Sequence, residues 1–246
     1  MLVQPSADKP YAYVLGMPSS KAPMSKAFIY NRALSEIAQW SLVPRHLVLV
    51  KPQNSQFDAE KVTEEIMNFA RQINLPVKVQ VISIEGNMLN DVTSVRRAIL
   101  NIRQASNAHL RVFLALFDGA DNWSSLVLLT TASVIRFLVW EDVSLEDFLY
   151  LHVDGSDIIP QRLGLPLPIA PEKLSKSAYN VLKIVASGIN TAKEIHKAYI
   201  KEYEKVSRGF IIKELKKLIK ARLVERSGVA NNYNYSLTEL GKLIAG

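Results

Sequence analysis

The sequence predicts a mixed α/β protein: a domain built on a parallel sheet over residues 1–165, then a smaller α+β domain over residues 175–246. Three observations carry this. Short β-branched or aromatic runs alternate with amphipathic helical patterns through the first two-thirds of the chain, the spacing of βαβ units. The stretch GLPLPIAP at 164–171 then interrupts the pattern with Pro166, Pro168 and Pro171, each of which fixes φ and disfavours helix before it. Residues 166–174 are therefore expected to form an extended linker. The charge divides at the same place. Residues 1–170 carry 15 Lys and Arg against 16 Asp and Glu, a net of −1, whereas residues 171–246 carry 15 against 7, a net of +8.

In the first domain the expected strands are Tyr11–Gly16 (YAYVLG), 46–51 (HLVLVK), 77–84 (VKVQVISI), Leu110–Phe117 (LRVFLALF) and 148–153 (FLYLHV). The second and fourth are almost wholly apolar, as strands covered on both faces require. Residues 26–40 place Ile29, Ala33, Ile37 and Trp40 on one helical face, and residues 59–73 do the same with Val62, Ile66, Phe69 and Ile73. Asp58 is placed to cap the latter. A helix over 91–106 presents Val95, Ile99 and Ile102, and a helix over 124–138 is apolar nearly all round, so burial is expected there. Glu141, Asp142, Glu146 and Asp147 read as a solvated loop.

Ligands of parallel α/β sheets bind beyond the carboxyl ends of the strands. The loops expected at that edge are 17–25 (MPSSKAPMS), 85–90 and 118–123 (DGADNW). The last offers a turn at Asp118-Gly119, an amide, carboxylates and the Trp123 indole for stacking on a base. Ser124 is placed to cap the next helix, whose N-terminus would face an anion. Each loop alone is ordinary turn chemistry; together, at one edge, they read as a pocket.

Other chemistry is missing. The absence of cysteine excludes disulfides, thiolate zinc sites and a cysteine nucleophile. Neither G-x-G-x-x-G nor G-x-x-x-x-G-K-[ST] occurs, and His46, His109, His152 and His196 have no metal-ligand spacing. Asp118 and Asp121 are weak candidates for Mg²⁺. No nucleophile–base pair is evident, so the expectation is a binding protein rather than an enzyme, without metal or cofactor. The longest apolar stretch, 126–140, contains Thr130, Thr131, Ser133 and Arg136, and falls short of the ~20 residues of a spanning helix. With no targeting pattern in MLVQPSADKP, a soluble, cytoplasmic protein without a membrane partner is expected.

The last 75 residues read as helix, helix, helix, hairpin, short helix. Ser175 opens the first helix, with Ala178, Val181, Leu182 and Val185 on its apolar stripe, and Gly188 ends it. Thr191 and Glu194 have capping-box spacing for the second. The third, 207–221, buries Ile211, Leu215 and Leu218. A hairpin with Ser-Gly and Asn-Asn at its tip and a Thr238-capped helix follow. This is the winged helix-turn-helix order. Its surplus positive charge points to double-stranded DNA, with Ser207, Arg208 and Lys213 toward base edges and Lys216 and Lys217 toward phosphates. Arg226, Asn231, Asn232 and Tyr233 of the wing are placed for backbone or minor groove. Arg222 stands where such motifs usually carry glycine, and Ile212 is an apolar residue near the DNA-facing side.

The segment IIKELKKLIKARLVER resembles winged-helix regulators of the MarR and ArsR type. The Rossmann-like first domain, through YVLGMPSS and FLALFDGADNWSSLVLLTTASV, resembles the CRISPR-associated Rossmann-fold (CARF) domain, and the whole chain is similar to archaeal CRISPR-associated CARF–winged-helix regulators. The resemblance implies a homodimer that senses a cyclic oligoadenylate, typically cyclic tetra-adenylate, and binds promoters of CRISPR-associated genes or arrays. Its ligand loops would be Gly16, Met17, Pro18, Ser19, Ser20 and Lys21, and Asp118, Gly119, Ala120, Asp121, Asn122 and Trp123. The family's Asp-x-Thr-Gly-Gly is not matched here: its threonine and glycine pair are missing. Two alternatives accompany this expectation: a CARF ring nuclease that cleaves cyclic oligoadenylate, and a winged-helix interaction module of the CRISPR machinery.

Overall fold

The computed structural model describes residues 11–16, 45–55, 58–72, 74, 77–117, 121–135, 137–154, 157–162, 174–229 and 233–245. The helix expected at 26–40 and most of the linker lie outside them. The chain divides into two compact units, Met1–Leu167 and Pro168–Gly246.

The first unit is α/β. Strands β1 (Tyr11–Gly16), β2 (His46–Pro52), β3 (Lys78–Ile84), β4 (Leu110–Phe117), β5 (Val143–Asp154) and β6 (Asp157–Arg162) form one sheet in the order β3-β2-β1-β4-β5-β6. β1 through β5 are mutually parallel; β6 turns back antiparallel on β5. An all-parallel sheet closed by residues 148–153 is thus corrected to a mixed one with an antiparallel edge. Four successive residues of β2, Leu47–Val50 in sequence, are fully buried, as are Val112, Leu114 and Ala115 of β4. Burial of neighbours along a strand requires cover on both faces.

The helices of this unit are α1 (Ala59–Gln72), α2 (Met88–Ser106) and α3 (Asn122–Ile135). Asp58 accepts the Lys61 N–H at 3.0 Å, and Val62 and Ile66 face the core. α2 starts three residues before the expected Asp91, because Asn87 caps it by accepting the Asn90 N–H. α3 is not buried all round: Leu126 is 47% exposed and Asn122 lies in solvent.

The acidic segment 141–147 is mostly strand, not loop. β5 begins at Val143, and the register between β4 and β5 shifts so that Val112 faces Leu145 and Phe113 faces Asp147, leaving Glu146 as the extra residue of a bulge. Glu146 forms an ion pair with Arg111 and accepts the Ser144 hydroxyl at 2.9 Å. The guanidinium bond holds its carboxyl below the usual range, against a smaller opposing push from burial. Arg103 and Asp142 make a second ion pair nearby.

The second unit comprises α4 (Lys176–Ala186), α5 (Ala192–Glu202), α6 (Arg208–Lys220), β7 (Val224–Ser227), β8 (Asn234–Leu237) and α7 (Glu239–Ala245). Its core is Tyr179, Val181, Leu182, Ile195, Tyr199, Ile211, Leu215, Leu218, Leu223 and Ile244. Caps form at the residues whose chemistry calls for them. Ser175 accepts from Ala178 N, Thr191 from Glu194 N, Ser207 from Phe210 N and Thr238 from Gly241 N. The Thr191 hydroxyl also donates to the Glu194 carboxylate at 2.7 Å. His196 contacts the Val206 carbonyl through Nε2 at 2.8 Å and ties α5 to the turn before α6.

α6 ends in a Schellman motif: Leu223 N–H reaches Leu218 O and Arg222 N–H reaches Ile219 O, each at 2.9 Å. Arg222 has φ +56, the left-handed region that favours glycine. Arg222→Gly releases ~1–2 kcal/mol of strain against ~0.5–1 kcal/mol of added unfolded-chain entropy. The expected net gain of about 0.5–1 kcal/mol would raise the melting temperature of this unit by roughly 2–8 °C in a calorimetric scan.

Candidate functional site

In the first unit the strand order reverses its direction of growth at β1, which pairs with β2 on one side and β4 on the other. The carboxyl ends of β1 and β4 are where such sheets bind ligands. Met17, Pro18, Ser19, Ser20, Lys21, Asp118, Gly119 and Ala120 lie outside the described residues. The four described candidates are Gly16, Asp121, Asn122 and Trp123. Gly16 is buried, and a Cβ there would meet Leu128 Cδ1 at 3.0 Å and Leu116 Cδ2 at 3.4 Å. Its smallness lets β1 approach α3.

Asp121, not Ser124, caps α3. Its Oδ2 accepts from Trp123 N and Ser124 N, each at 3.0 Å. A carboxylate of the chain itself therefore occupies the place where the sequence suggested an incoming anion. Ser124 is fully buried, and its hydroxyl has no hydrogen-bond partner among the described residues. Trp123 is half-buried, and its indole Nε1 donates to Asp91 Oδ2 at 2.7 Å. Asp91 is itself 2% exposed and also accepts the N–H groups of Glu85 (2.9 Å) and Gly86 (3.0 Å). It thus pins the short 85–87 turn to the start of α3. The pattern gave little sign of this, since an acid in a first helical turn is commonplace.

In the second unit, α6, the start of α5 and the β7–β8 hairpin enclose a groove of about 670 Å³. Arg208, Ile212, Lys216 and Ile219 line it from α6, Thr191 and Lys193 from α5, and Arg226, Tyr233 and Asn234 from the hairpin. Four cations therefore surround it, and no carboxylate is among its described lining residues. The hairpin is fixed to the start of α5 by a bridge between Thr191 and Asn234 and by Tyr235 N–H donating to Asn190 O at 2.8 Å. The Arg226 guanidinium sits 4.1 Å above the centre of the Tyr233 ring, which holds its side chain in place.

Of the residues proposed for DNA contact, Arg208, Lys216, Arg226 and Tyr233 converge on this groove. Lys213 is exposed on α6 but does not line it. Ser207 is the α6 N-cap. Lys217 is drawn away: its ammonium pairs at 2.6 Å with Glu214, which is 2% exposed and also accepts the Ser175 hydroxyl at 3.2 Å. Asn231 and Asn232 lie outside the described residues. Lys193 is the cation that inspection of the third helix and wing missed. Its position in the first turn after the Thr191 cap was the available signal.

The architecture is that of a two-unit mixed α/β protein. No protein-family model matches the chain, and no curated protein matches it. Among the described residues, no helix is long and apolar enough to cross a membrane.

Proposed function

We propose that the protein is a dimeric, ligand-responsive DNA-binding regulator: a winged helix-turn-helix domain that grips duplex DNA, joined to a CARF-like sensor domain. The observation that carries this is the groove flanked by Lys193, Arg208, Lys216 and Arg226, within a unit whose chain segment has a net charge of +8. Such a surface attracts phosphate and releases counterions on binding. α6, with Arg208 at its exposed start, has the dimensions of a major-groove reader. Leu126 on α3 is apolar surface that a second copy would cover. A dimer would favour two half-sites about 34 Å apart or a multiple of that.

The test is fluorescence anisotropy of the full chain on duplex fragments of its own locus across a salt series. Affinity is expected to fall linearly in log–log form, by about 0.9 per phosphate neutralised. Lys216→Ala and Arg226→Ala should each reduce the slope by roughly 1. No binding at low salt would end this reading.

For the sensor domain the proposed ligand is a cyclic oligoadenylate, with cyclic tetra-adenylate as the probe. Asn122 is the exposed polar residue at the start of α3 that supports it. In calorimetric titration a heat of binding is expected from the parent protein and should be lost in Asn122→Ala and Lys21→Ala. A parent titration without heat removes this ligand class.

A further inference from the structure

We infer that Ile212 is a specificity residue, reading the C5-methyl group of a thymine in the major groove; this rests on the duplex-binding reading above. Arg208, Ile212 and Lys216 are spaced four residues apart, so they form one line along α6, and all three line the groove. Ile212 is half-buried, between two cations. A surface that held only phosphates would gain nothing from an aliphatic side chain here, since isoleucine neither donates a hydrogen bond nor carries charge. Its branched side chain instead leaves apolar area facing solvent at the centre of a polyanion-binding stripe. On the base edges of the major groove, the apolar feature is the thymine methyl, and the other base edges present donors and acceptors.

The spacing fits as well. Four helical residues rise about 6 Å, close to two base-pair steps of about 3.4 Å each along a strand. A thymine under Ile212 would lie about two steps from the base or phosphate held by Arg208. Arg208 supplies the fork that matches guanine O6 and N7. The occupant is therefore a duplex with a thymine near a guanine in each half-site, and Ile212 contributes discrimination where Lys216 and Arg226 contribute affinity.

The experiment begins with selection of bound duplexes from a randomised library by the full-length protein. Each thymine of the selected site is then replaced in turn by deoxyuridine, which removes only the methyl group. At one thymine position in each half-site, a single replacement by uracil is expected to weaken binding by about fourfold, the effect of burying one methyl group. Ile212→Ala, whose side chain ends farther from the base edge, should shrink the thymine–uracil difference with an unchanged salt slope. The uracil series on the parent protein stands on its own, whatever the variant's stability. Steeply salt-dependent binding that ignores every thymine-to-uracil change overturns the role of Ile212 and leaves the duplex-binding reading intact. Failure to retain any duplex at low salt overturns both.

Discussion

Gly241→Ala is expected to destabilise the second unit by about 3 kcal/mol or more, at the upper end of what overpacking costs. A Cβ built on Gly241 lies 2.0 Å from the Leu223 carbonyl oxygen and 3.0 Å from its carbon. The obstacle is backbone, so no rotamer change relieves it. The same oxygen accepts the Thr238 N–H at 3.1 Å, the bond that seats α7 against the segment between α6 and β7. Separation of the two backbones would lengthen that bond and uncover Ile244 and Leu223, both almost fully buried. For a unit of this size the melting temperature should drop by roughly 12–25 °C. A calorimetric scan should move the transition of the second unit and leave that of the first in place. An unchanged scan would mean that α7 does not pack on Leu223.

Asp91→Ala should be comparably severe in the first unit. Removal of the carboxylate strands three donors at once: the Glu85 and Gly86 N–H groups and the Trp123 indole. A fully buried unsatisfied partner would cost about 1–3 kcal/mol; Glu85 and Gly86 are exposed and Trp123 half-buried, so water recovers part of that for each donor. A loss of about 3–4 kcal/mol is expected by urea denaturation. Asp91→Asn separates the contributions. With its amide oxygen in the Oδ2 position it still accepts from Gly86 and Trp123, but its NH₂ then faces the Glu85 N–H. It should therefore recover roughly half of the loss and restore the Trp123 emission that Asp91→Ala shifts. Equal destabilisation by both substitutions would show that the Gly86 and Trp123 bonds together contribute little.

These two positions also mark where sequence inspection stops. The caps at Asp58, Thr191 and Thr238 were legible because a cap is a bond between residues three apart. The buried stripes of α4 and α6 were legible for the same reason, since 3.6-residue periodicity is local. Glu214 could have been suspected: it falls between Ile211 and Leu218 on the buried stripe, a polar residue at a core spacing. Its partners, Lys217 and Ser175, then remove Lys217 from the set of free cations.

The misreadings have a common origin. Glu146 and Asp147 suggested a loop because acids are rare in strands, yet Arg111 on the adjacent strand neutralises Glu146 at a bulge. Ser124 suggested a cap because serine caps helices well, yet Asp121 three residues earlier accepts the Trp123 and Ser124 N–H groups and leaves Ser124 inside. The antiparallel β6 carries Pro160 within its run and so lacks the pattern of a covered strand; at a sheet edge its missing N–H is tolerated.

The three helices before the hairpin in the second unit, the caps at Asp58, Thr191 and Thr238, the apolar strands and the concentration of positive charge after residue 170 followed from neighbours along the chain. The order of the strands, the buried roles of Asp91 and Glu214, the bulge at Glu146 and the sorting of lysines between groove and ion pair arose from residues far apart in the chain. Hydrogen bonds and apolar stripes within a turn of helix act over a few residues and leave a periodic trace. A buried charge is tolerated only where distant partners arrive to satisfy it, and that meeting is a property of the folded chain.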